Sequence, residues 1–186
     1  MTKILGISGS LRARSFNTAL LRAAAELVPP DAEIELFDLA AIPLYNDDVE
    51  SAGDPEPVAA LRAAVAEADA LLLATPEYNR GTSGVLKNAI DWLSRPALAS
   101  VLRWKRVAIM GASSGRGGTR RAQQQVRDAL LFPGAIVLEQ PEVAVPIAWE
   151  RFDPDMQLTD ENIGAAVTEL LAGLVELAHQ HQFIAA

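Results

Sequence analysis

The amino-acid sequence predicts a three-layer α/β sandwich, a five-stranded parallel sheet in the order 2-1-3-4-5 with helices on both faces. Three observations carry this. Apolar runs of strand length alternate with segments of helical period along the whole chain, the arrangement that right-handed crossovers between parallel strands require. The third run, Ala70-Leu71-Leu72-Leu73-Ala74-Thr75, is almost wholly apolar, as a central strand covered on both sides must be. Loops rich in Gly, Ser or Pro follow the first, third and fourth runs, and in such sheets ligands sit outside the carboxyl ends of the strands at a switch in strand order.

At 186 residues, half of them apolar, the chain is long enough for one full core and is read as a single domain spanning 1–186. No run approaches the roughly eighteen apolar residues of a membrane span, and the N-terminus enters a strand at once, so a cytoplasmic protein with no membrane partner is expected. The absence of Cys removes disulfides, thiol redox chemistry and thiolate metal ligands. His179 and His181 read as solvated tail residues. A formal charge of −8 argues against nucleic acid as a partner, since that affinity rests on clustered Lys and Arg.

The first strand is Lys3-Ile4-Leu5-Gly6-Ile7, and Leu20, Leu21, Ala24, Leu27 and Val28 then recur at helical spacing. The second, Glu33-Ile34-Glu35-Leu36-Phe37, alternates as a half-covered edge strand does. An irregular surface loop with Tyr45, Asn46, Asp47 and Asp48 is expected up to Pro57. The two carboxylates have no third ligand at a metal-binding spacing. A helix follows on Val58, Leu61 and Val65, and ends near Asp69. After the third strand and its loop, Val85, Leu86, Ala89, Ile90 and Leu93 mark another helix. The fourth strand is Arg106-Val107-Ala108-Ile109-Met110, followed by a polar helix with Val126 and Leu130. The fifth, Ala135-Ile136-Val137-Leu138, is expected to run on through Val143-Ala144-Val145. The last helix starts near Thr159, with Ile163, Val167, Leu170, Leu171, Leu174 and Leu177 on one face.

Chemistry concentrates in three loops. Ser8-Gly9-Ser10-Leu11-Arg12-Ala13-Arg14-Ser15-Phe16-Asn17 joins strand to helix. Its hydroxyls, guanidinium groups and free N–H groups at a helix N-terminus suit a phosphate monoester, with Ser15 or Asn17 as the N-cap. Pro76-Glu77-Tyr78-Asn79-Arg80-Gly81-Thr82-Ser83-Gly84 follows the third strand, and Gly111-Ala112-Ser113-Ser114-Gly115-Arg116-Gly117-Gly118-Thr119 the fourth. No G-x-G-x-x-G follows the first strand and no G-K-[ST] occurs, which weakens a Rossmann dinucleotide site and a nucleotide kinase.

Gly9-Ser10-Leu11-Arg12-x-x-Ser15-x-Asn17 and Thr75-Pro76-Glu77-Tyr78-Asn79, the second leading into Gly84-Val85-Leu86-Lys87-Asn88-Ala89-Ile90-Asp91-Trp92-Leu93, resemble the NADPH-dependent FMN reductase family, in particular its chromate and quinone reductase branch. The resemblance implies a flavodoxin-like fold, bound FMN, and homodimers or homotetramers. It implies that the FMN phosphate is held by Ser10, Arg12, Ser15 and Asn17 with backbone from Leu11 and Phe16. The ring is then expected along Pro76, Glu77, Tyr78 and Asn79, with Ser113, Gly115 and Gly118 closing the far side. Trp92 and Lys87 are expected in packing and in solvent or an ion pair.

Two departures from the family pattern stand out. Asn79-Arg80-Gly81-Thr82-Ser83-Gly84 lacks the proline that usually precedes the last glycine, which predicts a more mobile loop. Gln124 occupies the place of a tyrosine that, in the chromate-reducing branch, joins subunit pairs. Arg80, Arg116, Arg120 and Tyr78 are candidates for the pyridine nucleotide, because the extra phosphate of NADPH suits guanidinium forks. The expected function is hydride transfer from NADPH or NADH through FMN to a small acceptor: a quinone, a flavin or an oxidised metal such as chromate. No side chain is required as nucleophile or obligatory acid. The alternative is a flavodoxin-type electron carrier with no NAD(P)H turnover of its own.

Overall fold

The computed structural model describes residues 1–180. The chain runs β1 (Thr2–Ser8), α1 (Phe16–Leu27), β2 (Ala32–Phe37), α2 (Asp47–Ala52), α3 (Glu56–Glu67), β3 (Ala70–Ala74), α4 (Gly84–Leu93), β4 (Arg106–Ala112), α5 (Arg120–Leu131), β5 (Ile136–Val137), β6 (Val143–Val145) and α6 (Glu161–His179). The strands form a parallel sheet in the order β2-β1-β3-β4-β5, and β6 also pairs with β4.

Alternation along the strands sorts their side chains between two cores. Ala70, Leu72 and Ala74 of β3 and Ala108, Met110 and Ala112 of β4 meet α1 and α6. Leu71, Leu73, Val107 and Ile109 point the other way, against α3, α4 and α5. Both faces of the central strands are therefore covered, which is why β3 reads as an unbroken apolar run. The helices present matching stripes: Leu20, Leu21 and Ala24 on α1, and Val167, Leu170, Leu171 and Leu174 on α6. Trp92 is fully buried, donates its indole N–H to Pro43 O at 2.8 Å and meets Tyr45 edge-on. Lys87 pairs with Asp91 one turn along α4.

Two sequence expectations are corrected. Residues 47–52 form α2, a short helix: the Asn46 carboxamide caps it by accepting from Asp48 N–H at 2.9 Å, and none of its residues is buried, so no apolar period announced it. Just before it, the Tyr45 hydroxyl donates to Glu50 at 2.8 Å and lies 3.2 Å from Asp47; the Glu50 hydrogen bond leads in pushing the phenol up to about 12. The expected fifth strand is two. Ile136 and Val137 pair with the start of β4, whereas Val143, Ala144 and Val145 pair with Met110, Gly111 and Ala112.

The loop lacking the family's proline is a closed turn. Tyr78 and Gly81 exchange both backbone hydrogen bonds, at 2.9 and 3.0 Å, across Asn79 and Arg80, which both take positive φ. His179 is exposed at the end of α6, with its Nε2 2.8 Å from Thr2 Oγ1; His181 lies outside the described residues. Among the described residues no helix is long and apolar enough to cross a membrane.

Candidate functional site

Parallel pairing brings the carboxyl ends of β1, β3 and β4 to one rim, and side chains then lock the three loops to each other. The first and second loops join at Ser83, whose hydroxyl donates to Gly9 O at 2.6 Å and accepts from Leu86 N–H as the N-cap of α4. The first and third join at Asn17. Its carboxamide, buried, donates to Ala112 O and accepts from Ala112 N–H, each at 2.9 Å. The second loop is joined to the start of α5, directly after the third loop, at Glu77, which accepts from Arg121 N–H at 3.1 Å and Ala122 N–H at 3.3 Å, and at Gln125, which accepts from Thr82 N–H at 3.0 Å.

These locks decide what each expected site residue is free to do. Ser15 is the N-cap of α1, accepting from Thr18 N–H at 3.3 Å, so its hydroxyl sits where the first helical N–H groups converge. Ser10 and the exposed Leu11 and Arg12 form the outer lip of the same loop. Phe16 is half-buried, its ring 5.5 Å from that of Phe152. The Asn17 carboxamide is committed to β4, which leaves its backbone N–H for a ligand. Beside the loop, on the β2 side, a cavity of about 310 Å³ is bounded by Ser8, Ser10, Arg12 and Thr18 together with Arg22 and Asp38.

On the second loop Pro76 is buried, Tyr78 is 51% exposed, and Asn79 and Arg80 form the exposed tip of the turn. The Glu77 carboxylate faces α5, so it orients the loop. On the third loop Ser113 Oγ accepts from Gly115 N–H at 3.1 Å. Gly118 has φ +61, and a Cβ there would lie 2.6 Å from Ala144 O, so only glycine fits. A Cβ at Gly111 would collide with Thr75 O and Thr119 Oγ1, so glycine is what lets β4 approach the β3 loop. Gly117 faces open space.

The arginines divide. Arg80 and Arg116 are exposed at the rim. Arg120 pairs with Glu142 at 3.2 Å, Arg121 turns to Glu77, and Gln124 donates to Asp128 at 2.9 Å. Arg14 donates to Pro154 O at 2.7 Å. The Thr18 hydroxyl donates to Ser8 Oγ at 3.0 Å, a contact without a sequence signal because it spans a loop and the first helical turn.

The donor set therefore fits a phosphate monoester: N–H groups at the start of α1, hydroxyls and an exposed guanidinium. On the third loop Gly115 and Gly117 put no side chain toward the rim. The model of the family described as NADPH-dependent FMN reductase matches residues 2–150. The chain belongs to this family.

Relatives agree over nearly the whole length. The chain is 48% identical over 172 residues to an NAD(P)H-dependent FMN reductase of Pseudomonas aeruginosa, covering 92% of each. It is 41% identical over 160 residues to a 2-hydroxy-1,4-benzoquinone reductase of a Burkholderia species, covering 86% of this chain and 87% of that one. Among solved structures it is similar to FerB, a flavoenzyme NAD(P)H:(acceptor) oxidoreductase of Paracoccus denitrificans, with a TM-score of 0.87 and 32% identity over 97% of this chain and 99% of that one. As an NADPH-dependent FMN reductase family member the chain is an oxidoreductase with FMN as cofactor and NAD(P)H as co-substrate, which answers the electron-carrier alternative.

Proposed function

We propose that the protein is an NAD(P)H:quinone oxidoreductase in which residues 1–186 form one FMN-binding domain. The observation that carries this reading is the tying of the three loops and the start of α5 by Ser83, Asn17 and Glu77, which builds one rim from residues distant in sequence. Ser10, Arg12 and Ser15, with the backbone N–H groups of Leu11, Phe16 and Asn17, hold the phosphate. Pro76, Glu77, Tyr78 and Asn79 flank the ring on one side, and Ser113, Gly115 and Gly118 on the other. When bound, FMN supplies the two-electron redox chemistry. The chain's own residues supply position and field: N–H groups of the glycine loop support negative charge, the Pro76 turn fixes the ring's edge, and Tyr78 presents an aromatic face.

Tyr78, Arg80 and Arg116, at the open side of the rim, receive the pyridine nucleotide; Arg120 joins them only on leaving Glu142. A small quinone is the acceptor, by analogy with the relatives named for quinone substrates. Homodimers or homotetramers and a cytoplasmic location complete the proposal, and chromate is a further acceptor to be assayed. The deciding experiment removes the phosphate contacts. Arg12→Ala with Ser15→Ala should give a folded protein whose flavin absorbance per chain falls by about ten-fold or more, given two lost polar contacts to a dianion. Full flavin occupancy in that variant overturns the assignment.

A further inference from the structure

Residues 146–158 cross the rim on the side of α1 and α6. The segment leaves β6 against the glycine loop, where Ile147 N–H donates to Gly115 O at 3.1 Å and Ala148 N–H to Ser113 O at 3.0 Å. A few residues on it stands on the phosphate loop: Phe152 packs on Phe16, and Pro154 O accepts from Arg14. Asp153 then closes a turn by accepting from Asp155 and Gln157 N–H, at 2.9 and 2.8 Å. Trp149 lies in the crossing, between these two anchorages.

Its neighbours in the strap are core residues, Ala148 fully buried and Phe152 7% exposed, yet Trp149 itself is 59% exposed. Among the described residues its side chain enters no hydrogen bond, ring pair or cation–π contact. The other two tryptophans are placed differently: Trp92 is in the core, and Trp104 sits beside Gly134, at the opposite end of the sheet. Directly before the short 3₁₀ turn that carries Trp149, Ile147 holds φ +48, a conformation β-branched residues rarely adopt. Such strain persists where surrounding contacts over-determine it, and it clusters at ligand sites.

We propose that Trp149 is a specificity-determining residue, an indole platform on which the ring of a planar aromatic acceptor stacks at the mouth of the site. The inference rests on the quinone reading above. A quinone is uncharged and electron-poor, so the guanidinium groups at the rim recognise it weakly, whereas the electron-rich face of an indole complements it.

The test is binding, independent of turnover. A soluble naphthoquinone is titrated calorimetrically into oxidised, FMN-loaded wild type, Trp149→Ala and Trp149→Phe. Loss of one stacking contact should weaken Kd by about five-fold in the alanine variant, with the phenylalanine variant within about two-fold of wild type and flavin content unchanged in both. Steady-state KM for the quinone should rise alongside, while KM for ferricyanide, which has no ring, stays fixed. An unchanged Kd in Trp149→Ala, or equal shifts for quinone and ferricyanide, overturns the assignment of Trp149 while leaving the quinone reading intact. Wild type that neither binds nor reduces the quinone overturns both.

Discussion

A guanidinium-bearing residue at positive φ is an expensive arrangement, about 1 to 2 kcal/mol for a residue with a Cβ. Arg80 holds it, at φ +66, on the exposed tip of the β3 turn. Glycine would relieve the strain, so the side chain itself is the reason to look for a ligand there. On the proposed reading it and Arg116, also exposed, offer two forks to the additional phosphate of NADPH. Replacing both by Ala should raise KM for NADPH by about ten-fold while moving KM for NADH far less; equal shifts for the two nucleotides would remove the assignment. Asn17 shows the limit of reading at this scale. An Asn at the start of a helix announces a cap or a ligand, but its partner is the backbone of Ala112, 95 positions away, and a backbone group has no sequence signature. Ser15, which caps within three residues, was legible.

Helix α5 begins without a side-chain cap of its own: the Thr119 hydroxyl accepts from the Gln123 side chain at 3.0 Å and from no backbone N–H of the first turn. Glu77, from the neighbouring loop, accepts from two of the unpaired N–H groups and places negative charge at the positive end of the helix. Glu77→Ala should therefore lower stability by about 1 to 2 kcal/mol in urea denaturation, with Glu77→Gln recovering part of it; wild-type stability in the alanine variant would refute the capping role. The same element explains what the sequence showed. Elements longer than a turn with an apolar stripe, such as α1, α4 and α6, were readable from period alone. Helix α2 was not, because all six of its residues avoid the core. The break between β5 and β6 was hidden because both halves are Val-rich and only their pairing partners on β4 distinguish them. The strap over the rim was silent for a related reason: its anchors are mostly carbonyl groups.

Across the molecule, the proposed site lies at one end of the sheet, and the opposite end carries a half-buried cation. Lys105, just before β4, donates to Ala68 O. Burial pulls its ammonium below the usual value of 10.5, with Asp69 opposing the shift and Arg106 adding to it. The unfolded chain thus retains this proton to 10.5 while the folded state releases it earlier. Between the lowered value and 10.5 the unfolded state binds more protons, so this group's contribution to stability rises with pH. Urea midpoints of wild type should gain on those of Lys105→Met as pH approaches 10.5; parallel curves would show that Lys105 has no such role. The shared hydroxyl of Ser83 has a consequence for descent. Because one atom ties the cofactor loop to the start of α4, the stem of the β3 loop cannot drift without loosening the phosphate cradle, whereas the tip at Asn79 and Arg80 answers to no other loop. Ser83 stands where the family's pattern has proline, which carries no hydroxyl, so the tie to Gly9 is one that the proline-containing pattern could not make.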